Sequence, residues 1–324
     1  MKSKQKGVLV ISLDFELFWG VRDSINLHQY RQNLLGVWEA IPAILDIFSE
    51  YSIHATWACV GFLFFDDISH LRANLPVYRP CYNNPALDPY KYIDTMEDDS
   101  SALFHFAQPL IEKIRACPNQ EIASHTFSHY YCLETGQTAE AFAQDLDAAI
   151  EVAAEFGVSI ESLVFPRNQI NDDYIDILKT KGIKAYRGNE DSWIYRETKD
   201  EEQTLLHRAL RMLDAYISIT GTNSVPVDAI NENYPCSIPA SRFLRPYSKR
   251  LRVLDGIRLK RITNEMKYAA NNGLVYHLWW HPHNFGINLE ENLSFLRQIL
   301  DCYSRLKDNE AMDSLNMLEL ARKG

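Results

Sequence analysis

Strand-like and helix-like segments alternate through most of the chain. Short apolar stretches such as GVLVISLD, EIASH, SLVFP, KAYRG and LVYHLWW are separated by segments with helical periodicity, including Thr138 to Phe156 and Asp172 to Lys181. This order predicts an α/β fold, in which parallel strands form a sheet or barrel and the helices pack outside it. The number of strand-like stretches favours the barrel.

Two proline-rich segments interrupt this alternation, at about residues 66–100 and 223–247. Neither has a sustained helix or strand period, and the chain contains no internal repeat. We therefore expect a single domain over residues 1–324, with loop insertions at these two places. Because long loops are often functional, we expect both to shape a substrate cleft.

The charge and the cysteine content narrow the possible partners and the possible cellular compartment of the protein. The chain has 33 Lys+Arg and 43 Asp+Glu, for a net charge of -10. No basic run is long enough to track phosphates, so nucleic acid is not an expected partner. No secretory signal or transmembrane segment is recognisable, and the six cysteines form no C-x-x-C pair, which is typical of reduced thiols. We expect a cytoplasmic protein. The sequence does not indicate its oligomeric state.

Two histidines follow one of the predicted strands, in EIASHTFSHYYC. His125 and His129 are four residues apart, and on a helical turn this spacing would put both imidazoles on one face, where they could share a metal ion. Taken alone, the pair could equally be incidental surface or core residues.

Two carboxylates end the first predicted strand, in VLVISLDFELFWG. Barrel enzymes collect their catalytic groups at the carboxyl ends of the strands. Residues two apart on a strand point to the same side, so Asp14 and Glu16 could face one pocket. One of them could bind a metal while the other accepts a proton from water.

The last predicted strand, in LVYHLWWHPHNFG, is followed by His281 and His283. Either could act as a general acid if it faces the pocket. The tryptophans Trp279 and Trp280 could stack on a sugar ring, although core packing is the preferred interpretation. The candidates for substrate contact are Trp19, Asn168, Trp280 and His283.

Arginines follow two other strands. Arg167 lies in VFPRNQIND, and Arg187 and Asp191 lie in RGNEDSW. An arginine beside a carboxylate at a strand end orients it and lowers its pKa. A surface ion pair would look the same in the sequence.

Taken in order, these motifs resemble those of the metal-dependent polysaccharide deacetylase family, in a variant with Asp-x-Glu as its first motif. SLDFE resembles the first motif of the family, HATWACVGF its second strand and SHTFSH its metal motif. FPRNQ, NEDSW and LWWHPH resemble its Arg/Pro, Asp/Trp and final histidine motifs, and the resemblance covers about residues 8–290. It implies a distorted (β/α) barrel of about seven parallel strands that hydrolyses N-acetyl or O-acetyl groups of sugars.

The resemblance also implies roles for individual residues. Asp14 would be the general base, and His125 and His129 would bind a divalent metal, with Glu16 as the third candidate ligand. The family's commonest first motif has adjacent aspartates, so Glu16 could bind the metal directly, through water, or not at all. Arg167 and Asp191 are further catalytic candidates. FPRNQ reverses the family's usual order of Arg and Pro.

We therefore expect a metal-dependent hydrolase that removes an acetyl or formyl group from an N-acylated sugar or glycan precursor in surface-polysaccharide biosynthesis. Asp14 would take the proton from water, and His281 or His283 would protonate the amine. Zinc suits this ligand set, and nickel, cobalt or iron could replace it. The alternatives are hydrolysis of a non-sugar amide such as a ureide, a carbohydrate-binding barrel without activity, and an α/β protein whose histidines are incidental.

Overall fold

The structure is a computed structural model that describes residues 5–97, 102–190, 192–195, 205–230 and 233–323. The strands are β1 (Gly7–Phe15), β2 (Ala55–Cys59), β3 (Gln120–Ser124), β4 (Ser162–Leu163), β5 (Ala185–Gly188), β6 (Val225–Pro226), β7 (Cys236–Pro239), β8 (Arg242–Phe243), β9 (Leu274–Trp280) and β10 (Met312–Ser314). The α-helices are α1 (Leu27–Tyr51), α2 (Ile68–Ala73), α3 (Pro89–Thr95), α4 (Ala102–His105), α5 (Gln108–Ala116), α6 (Ala139–Glu155), α7 (Ile175–Thr180), α8 (Leu205–Asp214), α9 (Asp255–Asn272), α10 (Leu289–Asp308) and α11 (Met317–Lys323).

The strands form a nearly closed parallel barrel. Seven strands pair in the order β9-β1-β2-β3-β4-β5-β7, and all of these pairs are parallel. β8 pairs in parallel with β9, while β6 is antiparallel to β9 and β10 is parallel to β1. Helices surround this sheet, so the predicted (β/α) barrel is confirmed.

The barrel closes through a segment that we expected to be a loop. β7 pairs with β5, and β8, two residues further on, pairs with β9. Between them, Ala240 donates to the carbonyl of Gly188 at 2.8 Å and Ser241 donates to that of His277 at 2.8 Å. Residues 236–243 are therefore one kinked barrel strand inside the expected 223–247 insertion. Pro239 lacks an N–H and lies at the kink, which is why this stretch does not look like a strand in the sequence.

The two faces of β1 meet different surroundings. Leu9, Ile11 and Leu13 belong to the core that includes α1, whereas Val8 and Val10 pack in a separate apolar cluster with residues of the neighbouring strands. Further along the inner face come Ser12 and Asp14, so the barrel interior changes from apolar to polar toward the carboxyl ends of the strands.

Local sequence signals set the ends of the long helices. The side chain of Asn26 caps α1 by accepting from the amide of His28, and Thr138 caps α6 by accepting from that of Ala141. α9 ends at Gly273, whose φ of 65° is left-handed. No helix in the described part of the chain is both long and apolar enough to cross a bilayer.

Candidate active site

Asp14 and Glu16 are both buried at the carboxyl end of β1. Nε2 of His281 lies 3.8 Å from Oδ2 of Asp14 and 3.6 Å from Oε1 of Glu16. The two carboxylates thus border one site, although β1 ends at Phe15 and Glu16 already belongs to the turn that follows.

Asp14 forms a two-pronged ion pair with Arg187 from the end of β5. Nη1 lies 2.6 Å from Oδ1, and Nη2 lies 2.8 Å from Oδ2. The guanidinium also donates to Oγ of Ser12 at 3.1 Å and to Oδ1 of Asn168 at 2.8 Å, and it stacks on the ring of Trp279. Burial opposes ionisation of Asp14, but the charge of Arg187 and its hydrogen bonds hold the pKa of Asp14 below the usual value. Asp14 is therefore an ionised carboxylate whose orientation is held by Arg187.

This arrangement differs from the expected role of Arg167. The Arg167 guanidinium pairs with Asp23 and stacks on the ring of Tyr131, 4.9 Å from its centroid. The arginine that orients Asp14 is Arg187, one strand further along the sheet. Arg167 and Asn168 both have a left-handed backbone, with φ of 55°. This turn brings the Asn168 side chain to Arg187.

Glu16 lies between the two predicted histidine ligands. Its Oε2 is 3.4 Å from Nε2 of His125 and 3.1 Å from Nε2 of His129. One ligand atom from each of the three buried residues lies within 4.8 Å of the others. Burial opposes ionisation of Glu16, but the neighbouring histidines His281, His125 and His129 hold its pKa well below the usual range.

The two histidines come together on a tight loop and not on the helical turn that their spacing suggested. Residues 125–131 follow β3 without helical structure, and Thr126 and His129 have left-handed φ values of 62° and 59°. The buried carboxylate of Asp145 on α6 accepts from the amides of Phe127 at 2.7 Å and Ser128 at 3.2 Å. Such strained loops occur at functional sites where surrounding contacts enforce them.

The buried cluster fits a divalent cation. Nδ1 of His125 lies 2.9 Å from the carbonyl of Val164 and donates to it, so in the neutral tautomer the lone pair is on Nε2. That Nε2 is buried without a hydrogen-bond partner among the described residues. Burial lowers the pKa of His129 to about 4, so this imidazole is neutral near pH 7 and able to act as a ligand. Two imidazoles and a carboxylate form a donor set that suits zinc.

His281 and His283 stack on each other with ring centroids 4.9 Å apart, but their surroundings differ. The His281 side chain is 23% exposed, whereas that of His283 is 5% exposed, with Nδ1 3.9 Å from Oε1 of Glu16. Burial, followed by the charge of His281, lowers the pKa of His283 to about 3.

Trp19 and Trp280, which were candidates for substrate contact, belong to the core, and for Trp280 this agrees with the preferred interpretation. Trp19 and Trp280 are fully buried, and the Trp19 indole donates to the carbonyl of His105 at 2.7 Å. Trp280 packs against the rings of Phe48 and Phe285. On β9 the inner face carries His277 and Trp279, so Trp280 points to the helices.

The partly exposed aromatic residues beside the site are Trp279 and Phe243, whose rings lie 5.7 and 5.9 Å from that of His281. Asn168 is also partly exposed, but its side-chain oxygen accepts from Arg187. Asp191, the remaining catalytic candidate, lies outside the described residues.

Comparisons with known proteins agree with this fold. Residues 36–186 match the family model described as polysaccharide deacetylase. No curated protein sequence matches the chain. Among solved structures, the barrel resembles a protein from Mycobacterium smegmatis that is assigned to the polysaccharide deacetylases, with a TM-score of 0.60 and 13% identity over 100% of this chain and 92% of the other.

Two further structures share the barrel. A protein from Pseudomonas aeruginosa PAO1, also assigned to the polysaccharide deacetylases, has a TM-score of 0.53 and 12% identity over 97% of this chain and 89% of the other. An allantoinase has a TM-score of 0.55 and 12% identity over 99% of this chain and 91% of its own. The chain thus contains a polysaccharide deacetylase domain, matched over residues 36–186, on a barrel that it shares with these structures, which supports a deacetylase-type hydrolase.

Proposed function

We propose that this protein is a metal-dependent hydrolase that removes an acetyl or formyl group from an N-acylated sugar or glycan precursor. The observation that carries the proposal is the meeting of two groups of residues. A cluster of Glu16, His125 and His129 adjoins an aspartate, Asp14, that is held by an arginine. His281 lies within 4 Å of both carboxylates.

Glu16, His125 and His129 would hold the divalent ion, with zinc as the first choice and nickel, cobalt or iron as alternatives. When bound, the ion supplies Lewis acidity, which lowers the pKa of water and polarises the acyl carbonyl. We take Glu16 to be a direct ligand, because its Oε2 is close to both imidazole Nε2 atoms.

Asp14 is the proposed general base. Its ion pair with Arg187 keeps it ionised and fixes both oxygens, so that it can accept a proton from the water that attacks the acyl carbon. The attack forms a new C–O bond and places negative charge on the carbonyl oxygen. Breaking the C–N bond then yields the free acid and the amine.

His281 is the proposed general acid that protonates the departing nitrogen. It is partly exposed at the site, and its Nε2 lies within 4 Å of both carboxylates. His283 suits this role less well, because its lowered pKa of about 3 leaves it without the required proton near pH 7. We assign it to packing beside Glu16.

The substrate assignment rests on the site surface. Trp279 and Phe243 offer aromatic faces beside His281, which suit a sugar ring. We propose a cytoplasmic role in surface-polysaccharide biosynthesis, and the six free cysteines support that compartment. The net charge of -10 argues against nucleic acid as a partner.

Hydrolysis of a non-sugar amide such as a ureide is the second candidate function. It is supported by the barrel that this chain shares with the allantoinase. A carbohydrate-binding barrel without activity is less well supported. Such a protein would not need Asp14 to be held by Arg187 next to a complete set of metal ligands.

The test is release of acetate, formate or ammonia from a panel of N-acetylated sugars, N-formylated sugars and ureides. We expect acetate or formate from a sugar substrate. Asp14→Asn should lower turnover by about 10²–10⁴-fold without loss of metal. The exposed Asp176 gives a matched control, since Asp176→Asn should leave turnover unchanged. Wild-type turnover by Asp14→Asn would refute the assigned base, and turnover of ureides alone would favour the second candidate.

A further inference from the structure

A basic and apolar surface lies at the end of the barrel that carries the active site. We call it the basic rim and define it as the exposed residues Lys249, Arg250, Arg252, Val253, Ile257 and Lys260. The aliphatic side chains are conspicuous, because Val253 is 81% and Ile257 is 51% exposed. Nothing in the proposed reaction uses these residues.

Among the described residues, the cations of the basic rim have no ion-pair partners. Within the described part of the chain, no acidic side chain pairs with Lys249, Arg250, Arg252 or Lys260. The one acid in residues 249–260 is Asp255, and Arg258 neutralises it at 3.0 Å. A chain with a net charge of -10 therefore concentrates positive charge on one short segment.

The basic rim is on the active-site end of the barrel. β8 runs parallel to β9, and Phe243 at its end contacts the ring of His281. The chain then passes through residues 244–254 before α9 returns it to the start of β9. Nη1 of Arg258, in the first turn of α9, donates to the carbonyl of Pro246 at 3.3 Å. The start of α9 is thus tied to the segment that leaves the site.

The apolar part of this surface extends to the neighbouring chain segment. Arg261 donates from Nη1 to the carbonyl of Ile217 at 2.6 Å, and Ile217 is itself 63% exposed. Glu290 and Glu291 line a groove with Asp255, Gly256 and Leu259. On a helix of 3.6 residues per turn, Ile257 is turned away from Asp255 and Leu259, whereas Lys260 is the i+4 neighbour of Gly256, so this acidic groove borders one edge of the basic rim.

We propose that the basic rim docks on an anionic lipid bilayer and so holds the mouth of the active site at the membrane surface. Exposed aliphatic side chains among lysines and arginines suit such a surface, because the cations meet lipid phosphates while the aliphatic groups enter the interfacial region. The net negative charge of the chain would repel an anionic bilayer from other directions, which makes the docking orientation specific.

The experiment is co-flotation of the full-length protein with vesicles of phosphatidylcholine alone or with about 30 mol % phosphatidylglycerol. We expect binding to the anionic vesicles only, weakening as salt is raised. The triple substitution Lys249→Glu, Arg250→Glu, Arg252→Glu should weaken binding by about a hundredfold, since each cation contributes about fivefold. Val253→Ser with Ile257→Ser should weaken it by about tenfold.

A matched control reverses three exposed lysines at other places, Lys113→Glu, Lys179→Glu and Lys307→Glu. This variant has the same net charge as the rim variant and should retain most of the binding. Turnover of a water-soluble substrate should be unchanged in both, which shows that they fold. The proposal would be overturned if the wild type did not bind anionic vesicles, or if the control variant lost as much vesicle binding as the rim variant. It would also be overturned if the basic rim bound an acidic protein and not the vesicles. The readout is vesicle binding, so either failure leaves the proposed hydrolase untouched.

Discussion

Asp14 and Glu16 are chemically similar and two residues apart, yet their partners give them different tasks. Asp14 is clamped by a guanidinium, while Glu16 faces two imidazoles. The strand period of two predicts that both could face one pocket, although Glu16 lies in the turn just after β1. Their division of roles depends on residues more than 100 positions away.

The Asp14–Arg187 pair leads to a prediction at the residue scale. Arg187→Lys should lower kcat by about 10²-fold with little change in KM, since a lysine cannot hold both carboxylate oxygens. Arg167→Lys is the matched comparison and should cost less than about fivefold, because Arg167 pairs with Asp23. Steady-state kinetics of both variants would decide. A larger loss for Arg167→Lys would return the orienting role to the arginine that the family motif suggested.

The sequence could not distinguish these two arginines. Each lies in or just after a short strand, and which guanidinium reaches β1 depends on the packing of the barrel interior. Trp280 is a different case. Counting residues from His277 along β9 places it on the outer face, so its burial was predictable, whereas Trp19 follows the end of β1 and has no strand period to fix its direction.

At the scale of elements, α1 approaches the segment that carries His281 and His283 very closely. A Cβ atom at Gly36 would collide with the carbonyl oxygen of Gly286. Asn33 on the same helix donates to the carbonyl of His283 at 3.2 Å. The helix therefore helps to position the segment that follows the proposed general acid, His281.

We expect Gly36→Ala to lower the free energy of unfolding by about 2–3 kcal/mol, because backbone atoms must move to relieve the overlap. Urea denaturation would measure it. The control is Gly256→Ala, at a helical position where an added methyl group meets nothing within 4 Å. Gly256→Ala should leave the free energy of unfolding unchanged or raise it by up to about 1 kcal/mol. Equal stability of Gly36→Ala and the wild type would contradict the close packing.

Some secondary-structure elements are easier to predict from their sequences than others. β1 and β9 were predictable because their apolar runs are long. The strand at 236–243 was not, since Pro235 and Pro239 suggest a loop and its two halves pair with different strands. The loop of His125 and His129 has helical spacing but left-handed residues, which Asp145 on a separate element helps to hold.

At the scale of the whole molecule, a buried histidine links stability to pH. His277 lies inside the barrel, with Nε2 2.8 Å from Oγ of Ser12. Burial, followed by the charge of Arg187, lowers its pKa to about 3. In the unfolded chain a histidine has a pKa of about 6.5, so below that pH the unfolded state binds a proton that the folded state does not.

Stability from His277 is therefore fully present above about pH 6.5 and is lost as the pH falls toward 3, by about 1.4 kcal/mol per pH unit. His277→Gln should reduce the slope of the unfolding free energy between about pH 6 and 4 by roughly one proton. Urea denaturation across this range, with a chelator present, would measure the slope. An unchanged slope would show that His277 does not remain neutral in the folded protein.

The central claim is that Glu16, His125 and His129 hold a divalent ion, and elemental analysis after zinc reconstitution and dialysis tests it most directly. We predict about one ion per chain in the wild type and in Asp14→Asn, with at least about tenfold weaker affinity in Glu16→Gln and His125→Gln. A wild-type protein that retains no ion, or variants that bind zinc as tightly as the wild type, would contradict the account.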